Sequence, residues 1–324
     1  MIVVLGAFDG FHKGHALLLD RARILAREHP SHSDQDDWAV VTFSPHPDSV
    51  VRGNSFPLLF TEEERDLLSR FFLVPNFMKI PFDTSLAMTP PGHFIDLLES
   101  LLPVTGIVVG DDFRFGRNRE GDATFLQEAA RRKGWLFEKV DSLVVDGAKV
   151  GSSDIKRLVA RGEMLRAKRL LGYPFFFRGR VVSGDGRGRS LGFPTANLRY
   201  PLQKTMPKTG VYAASVLVGS QWWPGALNIG YNPTFLSRND LPRFETYILD
   251  FDESLYDRTI TVFVESYLRR EVKFGTPDEL RAQMRRDISR VRTAFGENML
   301  RFEDVYCLLS KAFEPSSSPE LEKS

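Results

Sequence analysis

The run Ile2-Val3-Val4-Leu5 passes without a break into Gly6-Ala7-Phe8-Asp9-Gly10-Phe11-His12-Lys13-Gly14-His15. An unbroken aliphatic run suits a strand buried on both faces of a parallel sheet. From Ala16 to Glu28, Leu18, Ala22, Leu25 and Ala26 fall at helical spacing, so the strand is expected to turn directly into a helix. Gly10 and Gly14 let backbone approach a ligand closely, and His12 and His15 fall on one side of the turn. The free amides and dipole of a helix N-terminus at the end of a buried first strand favour phosphate. Histidines placed there can donate hydrogen bonds to phosphate oxygens whose charge grows during transfer. The plain alternative is a surface turn with two solvated histidines.

Working outward, short apolar runs alternate with helical stretches as far as residue 172. Trp38 to Phe43 reads as a strand ending in the turn Ser44-Pro-His-Pro47, where two prolines flank His46. Thr61-Glu-Glu-Glu opens a helix to about Phe72 with a capping threonine and an acidic first turn. Phe77 to Ile80 is a further strand, Pro91 to Leu102 a helix, and Gly106-Ile-Val-Val-Gly110 a buried strand. Such alternation implies an α/β doubly wound parallel sheet, with the ligand site at the carboxyl ends of its strands. Three loops would meet there: the histidine turn, the Ser44–Pro47 turn and Asp111-Asp-Phe-Arg-Phe-Gly116. Arg117 to Asp122 is too charged and glycine-punctuated for core and is expected to form a flap over the site. Gly151-Ser-Ser-Asp-Ile-Lys156 should start a serine-capped helix with Lys156 in its early turns, and Glu163 to Leu171 a second, stopped by Gly172 and Pro174.

After Gly172 the pattern changes. Phe175–Val182, Val211–Val218, Trp222–Ile229, Arg243–Phe251 and Thr259–Leu268 read as strands without intervening helices, so an antiparallel barrel or sandwich is expected. An amphipathic helix follows from Pro277 to about Phe295. We place the domain boundary near Tyr173, giving domains over 1–172 and 173–299 and a tail over 300–324. That tail is expected to hold a short helix at about 302–313 before a disordered end rich in Ser, Glu and Pro.

At 324 residues the chain is long for one domain and comfortable for two. A net charge of +1 argues against a nucleic-acid binder that relies on bulk electrostatics. The single cysteine, Cys307, excludes an intramolecular disulfide and a cysteine metal cluster and suits a reducing compartment. No apolar run approaches the roughly 20 residues that span a bilayer, and strand residues begin without a basic leader. A cytoplasmic protein is expected.

The first half points to nucleotidyl transfer, in which a nucleophile attacks the α-phosphate of a nucleoside triphosphate and pyrophosphate leaves. His12, His15 and a later cation such as Lys156 are the natural parts for charge stabilisation and alignment. In the second half, Gly184, Gly186 and Gly188 alternate with Arg187 and Arg189 before Leu191-Gly-Phe-Pro-Thr-Ala-Asn197. The glycines can wrap phosphates and the arginines supply charge. Pro194 stiffens the next step, and Thr195 and Asn197 alternate onto one face of a strand, where a hydroxyl and an amide oxygen suit Mg²⁺. Glu245, facing away from Phe244 and Thr246, could accept a proton from a substrate hydroxyl. Taken singly, the glycine–arginine loop also fits a solvated hairpin and Glu245 an exposed strand residue. Asp9 fits a turn cap and His46 a turn anchor, while Trp222-Trp223 and Phe175 to Phe177 fit barrel core.

Together these stretches resemble the bacterial bifunctional riboflavin kinase/FAD synthetase family from residue 2 to about 295. The matching motifs are G-x-F-D-G-x-H-x-G-H at Gly6–His15, T-F-x-P-H-P at Thr42–Pro47 and G-x-D-F-x-F-G at Gly110–Gly116. The second half adds L-G-x-P-T-A-N at Leu191–Asn197, N-I-G-x-x-P-T-F at Asn228–Phe235 and E-T at Glu245 and Thr246. The resemblance implies a C-terminal kinase that passes the γ-phosphate of ATP to riboflavin, giving FMN. It implies an N-terminal domain that passes AMP from a second ATP to FMN, giving FAD and pyrophosphate. By motif, Gly6, Phe8, Gly10, His12, His15, Ser152, Ser153 and Lys156 would meet the adenylylating ATP, and Asp112 and Phe113 the flavin. Gly184, Gly186, Arg187, Gly188, Arg189, Pro194, Thr195 and Asn197 would meet the kinase ATP, with Thr195 and Asn197 on Mg²⁺ and Glu245 as base. The chain departs from the family at Ala7, where asparagine is usual, and at Gly151, Ser153 and Lys156, which stand for serine, threonine and arginine. Lysine keeps the charge and lacks the bidentate fork. Two other readings stand beside this one: a kinase whose N-terminal half only binds nucleotide or regulates, and an RNA-binding protein using Arg178, Arg180, Arg187 and Arg189.

Overall fold

The computed structural model describes residues 1–30, 37–52, 56–184, 188, 191–200, 203–231 and 242–296. Gly186, Arg187, Arg189, the Pro-Thr-Phe end of the Asn228 motif and the tail with its expected helix lie outside them. Two compact units result. One takes residues 1–160, 166–172 and 201–206; the other takes 161–165, 173–200 and the described residues from 207 onward. A single cut near Tyr173 therefore leaves 161–165 and 201–206 apart from the residues they pack with.

The first unit is built on a parallel sheet. β1 (Ile2–Leu5), β2 (Trp38–Ser44), β3 (Phe77–Pro81), β4 (Gly106–Gly110) and β7 (Leu136–Val140) lie in the order β3-β2-β1-β4-β7. α1 (Lys13–Glu28) buries Leu18, Leu19, Ala22 and Ala26. Another apolar layer joins alternate sheet residues Val3, Leu5, Ile107 and Val109 to Phe94 and Leu98 of α5 (Pro91–Leu101) and Leu126 of α6 (Ala123–Lys133). β1 is buried at every position, as its aliphatic run required. The chain winds outward from β1 in both directions, so the strand order reverses between β1 and β4, the crevice where ligands of such sheets bind.

Short elements complete the unit: α2 (Pro47–Val51), α3 (Glu62–Phe71), α4 (Thr84–Ala87), the hairpins β5 (Arg114–Phe115)–β6 (Gly121–Asp122) and β8 (Val144–Val145)–β9 (Ala148–Lys149), α7 (Ser152–Ala160) and, from Arg166 on, α8 (Met164–Leu171). The expected flap is thus the turn of a hairpin: Arg117–Arg119 form a 3-10 turn, and Phe115 is buried in the sheet's apolar layer. Two helix starts differ from expectation. α1 begins at Lys13, because the His12 side chain itself caps it by accepting the His15 amide. α7 carries no serine at its cap position: Ser152 is already helical, and the Gly151 carbonyl accepts the Ile155 amide.

The second unit is a closed six-stranded antiparallel barrel in the order β10-β11-β14-β13-β12-β15. The strands are β10 (Phe175–Val182), β11 (Thr195–Arg199), β12 (Gly210–Val218), β13 (Gln221–Gly230), β14 (Arg243–Ile248) and β15 (Thr259–Arg269). Pairing of β10 with both β11 and β15 closes the ring, which excludes the sandwich alternative. Phe175, Phe176 and Phe177 are fully buried. β12 is buried at every position, and Ala213 on it packs with Val291 of α9 (Pro277–Gly296), so a helix covers the outer face there. Among the described residues no helix is long and apolar enough to cross a membrane.

Candidate active sites

In the first unit the histidine turn closes on itself. The His12 and His15 rings stack with centroids 3.7 Å apart, and the buried Phe8 ring stacks on His15 at 4.5 Å. His12 Nδ1 accepts the His15 amide at 3.2 Å, which leaves its Nε2 as the protonated nitrogen in the neutral ring. His15 Nδ1 lies 2.6 Å from the Gly10 carbonyl and donates to it. Burial, together with the neighbouring His15, pushes His12 well below the ordinary 6.5. Burial pushes His15 down to about 4. Both rings are therefore neutral at pH 7 in the free protein.

Asp9, only 2% exposed, links the turn to two other segments. Its Oδ1 accepts the Leu59 amide at 2.8 Å, and its Oδ2 lies 2.6 Å from Lys156 Nζ. α7 thus delivers Lys156 to the histidine turn, and the ammonium also sits 4.2 Å from the Phe56 ring centroid. Gly10 has a φ of +85°, and a Cβ there would press on Leu59 and Phe60 at 3.1 and 3.2 Å. Segment 58–60 is the floor of the turn.

Sequence patterns did not reveal Arg65. Its buried guanidinium donates to the Ala7 carbonyl at 3.0 Å and to Thr42 Oγ1 at 2.7 Å, while Thr42 Oγ1 also donates to Ala7. The position that departs from the family motif is therefore held through its backbone. His46 caps α2 by accepting the Asp48 amide, the anchoring role its two prolines suggested. Past the end of β4, Asp112 pairs with Lys149 at 2.7 Å, and Phe113 stacks on Phe115 at 5.7 Å between centroids. These loops follow β1, β2 and β4 at the carboxyl edge of the sheet.

In the second unit a cleft of about 920 Å³ opens on the barrel. Its lining includes Gly188, Thr195, Asn197, Asn228, Glu245 and Glu271. Thr195 and Asn197 share one face of β11, with Ala196 buried on the other. Glu245 of β14 stands in register between Asn197 of β11 and Asn228 of β13, so three polar side chains from three strands meet in one row. A Cβ on Gly184 would run into the Asn197 amide, and one on Gly188 would lie 3.3 Å from Thr195 Oγ1. Gly184 and Gly188 therefore lie close against the Asn197 and Thr195 side chains, where a larger residue would not fit.

Glu271 and Arg269 carry no motif of their own and emerge only from the fold. Arg269 makes a forked bond to Asp287 of α9, with Nη2–Oδ2 at 2.7 Å. Glu271 occupies the space a Cβ on Gly230 would need. Burial pushes the Glu271 carboxyl up, bonds from Asn228 and the Tyr231 backbone oppose this, and the nearby Glu245 charge adds to it.

A doubly wound α/β unit with a site at its strand ends and a closed barrel with a polar cleft make a protein of two candidate active sites, of the class whose members carry nucleotide chemistry on such sheets. The sequence matches the FAD synthetase family over residues 1–154 and the riboflavin kinase family over residues 171–295. It is 34% identical over 292 residues to the bifunctional riboflavin kinase/FMN adenylyltransferase of Pseudomonas fluorescens, covering 90% of this chain and 92% of that one. It is 35% identical over 301 residues to the enzyme of that name from Escherichia coli K12, covering 91% and 93%. A crystal structure from Streptococcus pneumoniae titled as a macrolide-efflux protein shares the architecture, with TM-score 0.81, 30% identity and coverage of 90% and 93%. The chain belongs to the bifunctional riboflavin kinase/FMN adenylyltransferase family.

Proposed function

We propose that the protein makes FAD from riboflavin in two ATP-dependent steps, one in each unit, in the cytoplasm. The observation that carries this reading is that one matched family covers most of the first compact unit and the other most of the second, each unit holding its own polar site.

In the barrel the terminal ribityl hydroxyl of riboflavin attacks the γ-phosphorus of ATP, the bond to the β-phosphate oxygen breaks, and FMN and ADP form. Glu245 takes the hydroxyl proton. Thr195 Oγ1 and the Asn197 amide oxygen form a hard-oxygen pair beside the phosphate cradle, which fits Mg²⁺ arriving with ATP. When bound, that ion neutralises charge on the phosphates. The cleft between Glu245 and α9 receives the flavin.

In the parallel-sheet unit a phosphate oxygen of FMN attacks the α-phosphorus of a second ATP, and the bond to pyrophosphate breaks. The attacking group is already ionised, so no strong base is needed. Gly6, Phe8 and Gly10 shape the turn on which ATP lies, with Ser152 and Ser153 at the start of α7 opposite. His12 and His15 meet the triphosphate oxygens, Lys156 adds charge from α7, and Asp112 and Phe113, past the end of β4, are the candidates for meeting the flavin.

Purified protein incubated with riboflavin and Mg-ATP should yield FMN and then FAD on chromatography. Absence of FMN would sink the kinase reading; FMN without FAD would sink the adenylyltransferase.

A further inference from the structure

Between β11 and β12 the chain leaves the barrel unit, and residues 201–206 belong to the parallel-sheet unit. There Lys204 pairs in parallel with Leu58. The Leu58 amide donates to the Gln203 carbonyl at 2.7 Å, and the Thr205 amide donates to the Leu58 carbonyl at 2.6 Å. The Lys204 side chain is fully buried, its ammonium paired with the 2%-exposed Glu64 carboxylate and 4.5 Å from the Phe60 ring centroid. Burial pushes this ammonium down to about 8, with Glu64 and Asp9 opposing the shift, so it stays charged at pH 7.

We propose that Lys204 is a positioning residue for AMP transfer, holding the floor of the histidine turn from outside the segment that matches the FAD synthetase family. Two paths lead from it to the site. Along one, segment 203–205 fixes Leu58, the next residue's amide holds Asp9, and Asp9 holds Lys156. Along the other, Lys204 pairs with Glu64, whose carboxylate also accepts the Thr61 amide at 2.9 Å and so sets the start of α3. One residue on, Arg65 grips the Ala7 carbonyl. Asp9 and Ala7 flank Phe8, which stacks on His15.

A buried ion pair is weak evidence for stability, because desolvation consumes much of its Coulomb energy. Its geometric effect is stronger, since a charge with no route to water tolerates only one placement of its partner. The strand that carries Thr195 and Asn197 for one reaction thus continues into the segment that supports the other.

The inference rests on AMP transfer occurring at the histidine turn, and full-length variants separate the two claims. We compare Lys204→Met, the charge-balanced pair Lys204→Met with Glu64→Gln, and His12→Ala, measuring FMN adenylylation, riboflavin phosphorylation and melting temperature. Both Lys204 variants should lose about tenfold or more in kcat for FAD formation while phosphorylation stays within about twofold. Should Lys204→Met fail to fold, the charge-balanced variant decides. Parent kcat and KM for FAD formation in that variant would overturn the proposal. So would a joint loss of melting temperature and both activities, the mark of a purely structural role. Unchanged FAD formation in His12→Ala would instead remove the assignment of the turn, and the proposal with it.

Discussion

The Lys156 ammonium lies 2.6 Å from the Asp9 carboxylate, joining the first turn of the chain to a helix that begins at Ser152. Asp9 is almost fully buried and Lys156 is 13% exposed, so the lysine is the partner still open to solvent. Where the family carries arginine, this chain holds a single point charge already engaged by Asp9. A guanidinium could satisfy Asp9 with one nitrogen and a phosphate with another. Lys156→Arg should therefore raise the rate of FAD formation several-fold, and Lys156→Ala should lower it by about a hundredfold. Steady-state adenylylation assays check both, and an unchanged rate in Lys156→Arg would show that lysine suffices.

The kinase row gives a separable outcome. Asn197 and Glu245 face each other across β11 and β14, and Glu245 is in register with Asn228 on its other side. Asn197→Ala should abolish FMN formation, and Glu245→Gln should lower its kcat by about 10²–10⁴. Adenylylation of supplied FMN should be largely unchanged in both. Loss of both activities in a folded variant would contradict independent sites.

Titration of the histidine turn sets a pH dependence. The unfolded chain takes up a proton at each histidine near 6.5, whereas folded His15 does so only near 4 and His12 is also lowered. Stability should therefore fall as pH drops from 6.5 towards 4, with a slope of up to about 1.4 kcal/mol per pH unit for each proton concerned. Melting curves between pH 7 and about 5 test this, and His15→Gln should flatten the slope. A triphosphate beside neutral rings should also raise their proton affinity. Mg-ATP binding to Glu245→Gln, which keeps the turn intact, should be accompanied by proton uptake in calorimetry across buffers of different ionisation enthalpy.

The end of the Glu271 side chain fills the space beside Gly230 that a Cβ there would need. In Gly230→Ala the new methyl would displace the end of the Glu271 side chain from its bonds to Asn228 and the Tyr231 backbone. Phosphorylation should fall about tenfold with a stability change of at most about 1 kcal/mol, because a flexible side-chain end can shift. Parent kinase activity would show that Glu271 does not help to place Asn228.

Much of this molecule was legible in the chain alone. The Ile2–Leu5 run, the helical spacing after it and the later aliphatic strands specify the parallel sheet. The alternation Thr195-Ala-Asn197 and Phe244-Glu-Thr246 specifies which side chains face out. These features repeat with the period of a strand or a helix, so each is written within a few neighbouring residues. The outward face of Glu245 on its strand follows from the same alternation.

Tertiary structure decided what has no period. Closure of the barrel depends on β10 finding both β11 and β15, a choice between sandwich and barrel that alternation leaves open. Glu271 becomes part of the cleft only because Gly230 lies beneath it, and Arg65 because α3 folds under Ala7. Lys204 is the extreme case, 140 residues from the glutamate it meets. A single lysine in an irregular segment carries no local signal. Its place follows from the chain's path between two barrel strands and from the exclusion of water around its charge, and both exist only once the units have folded.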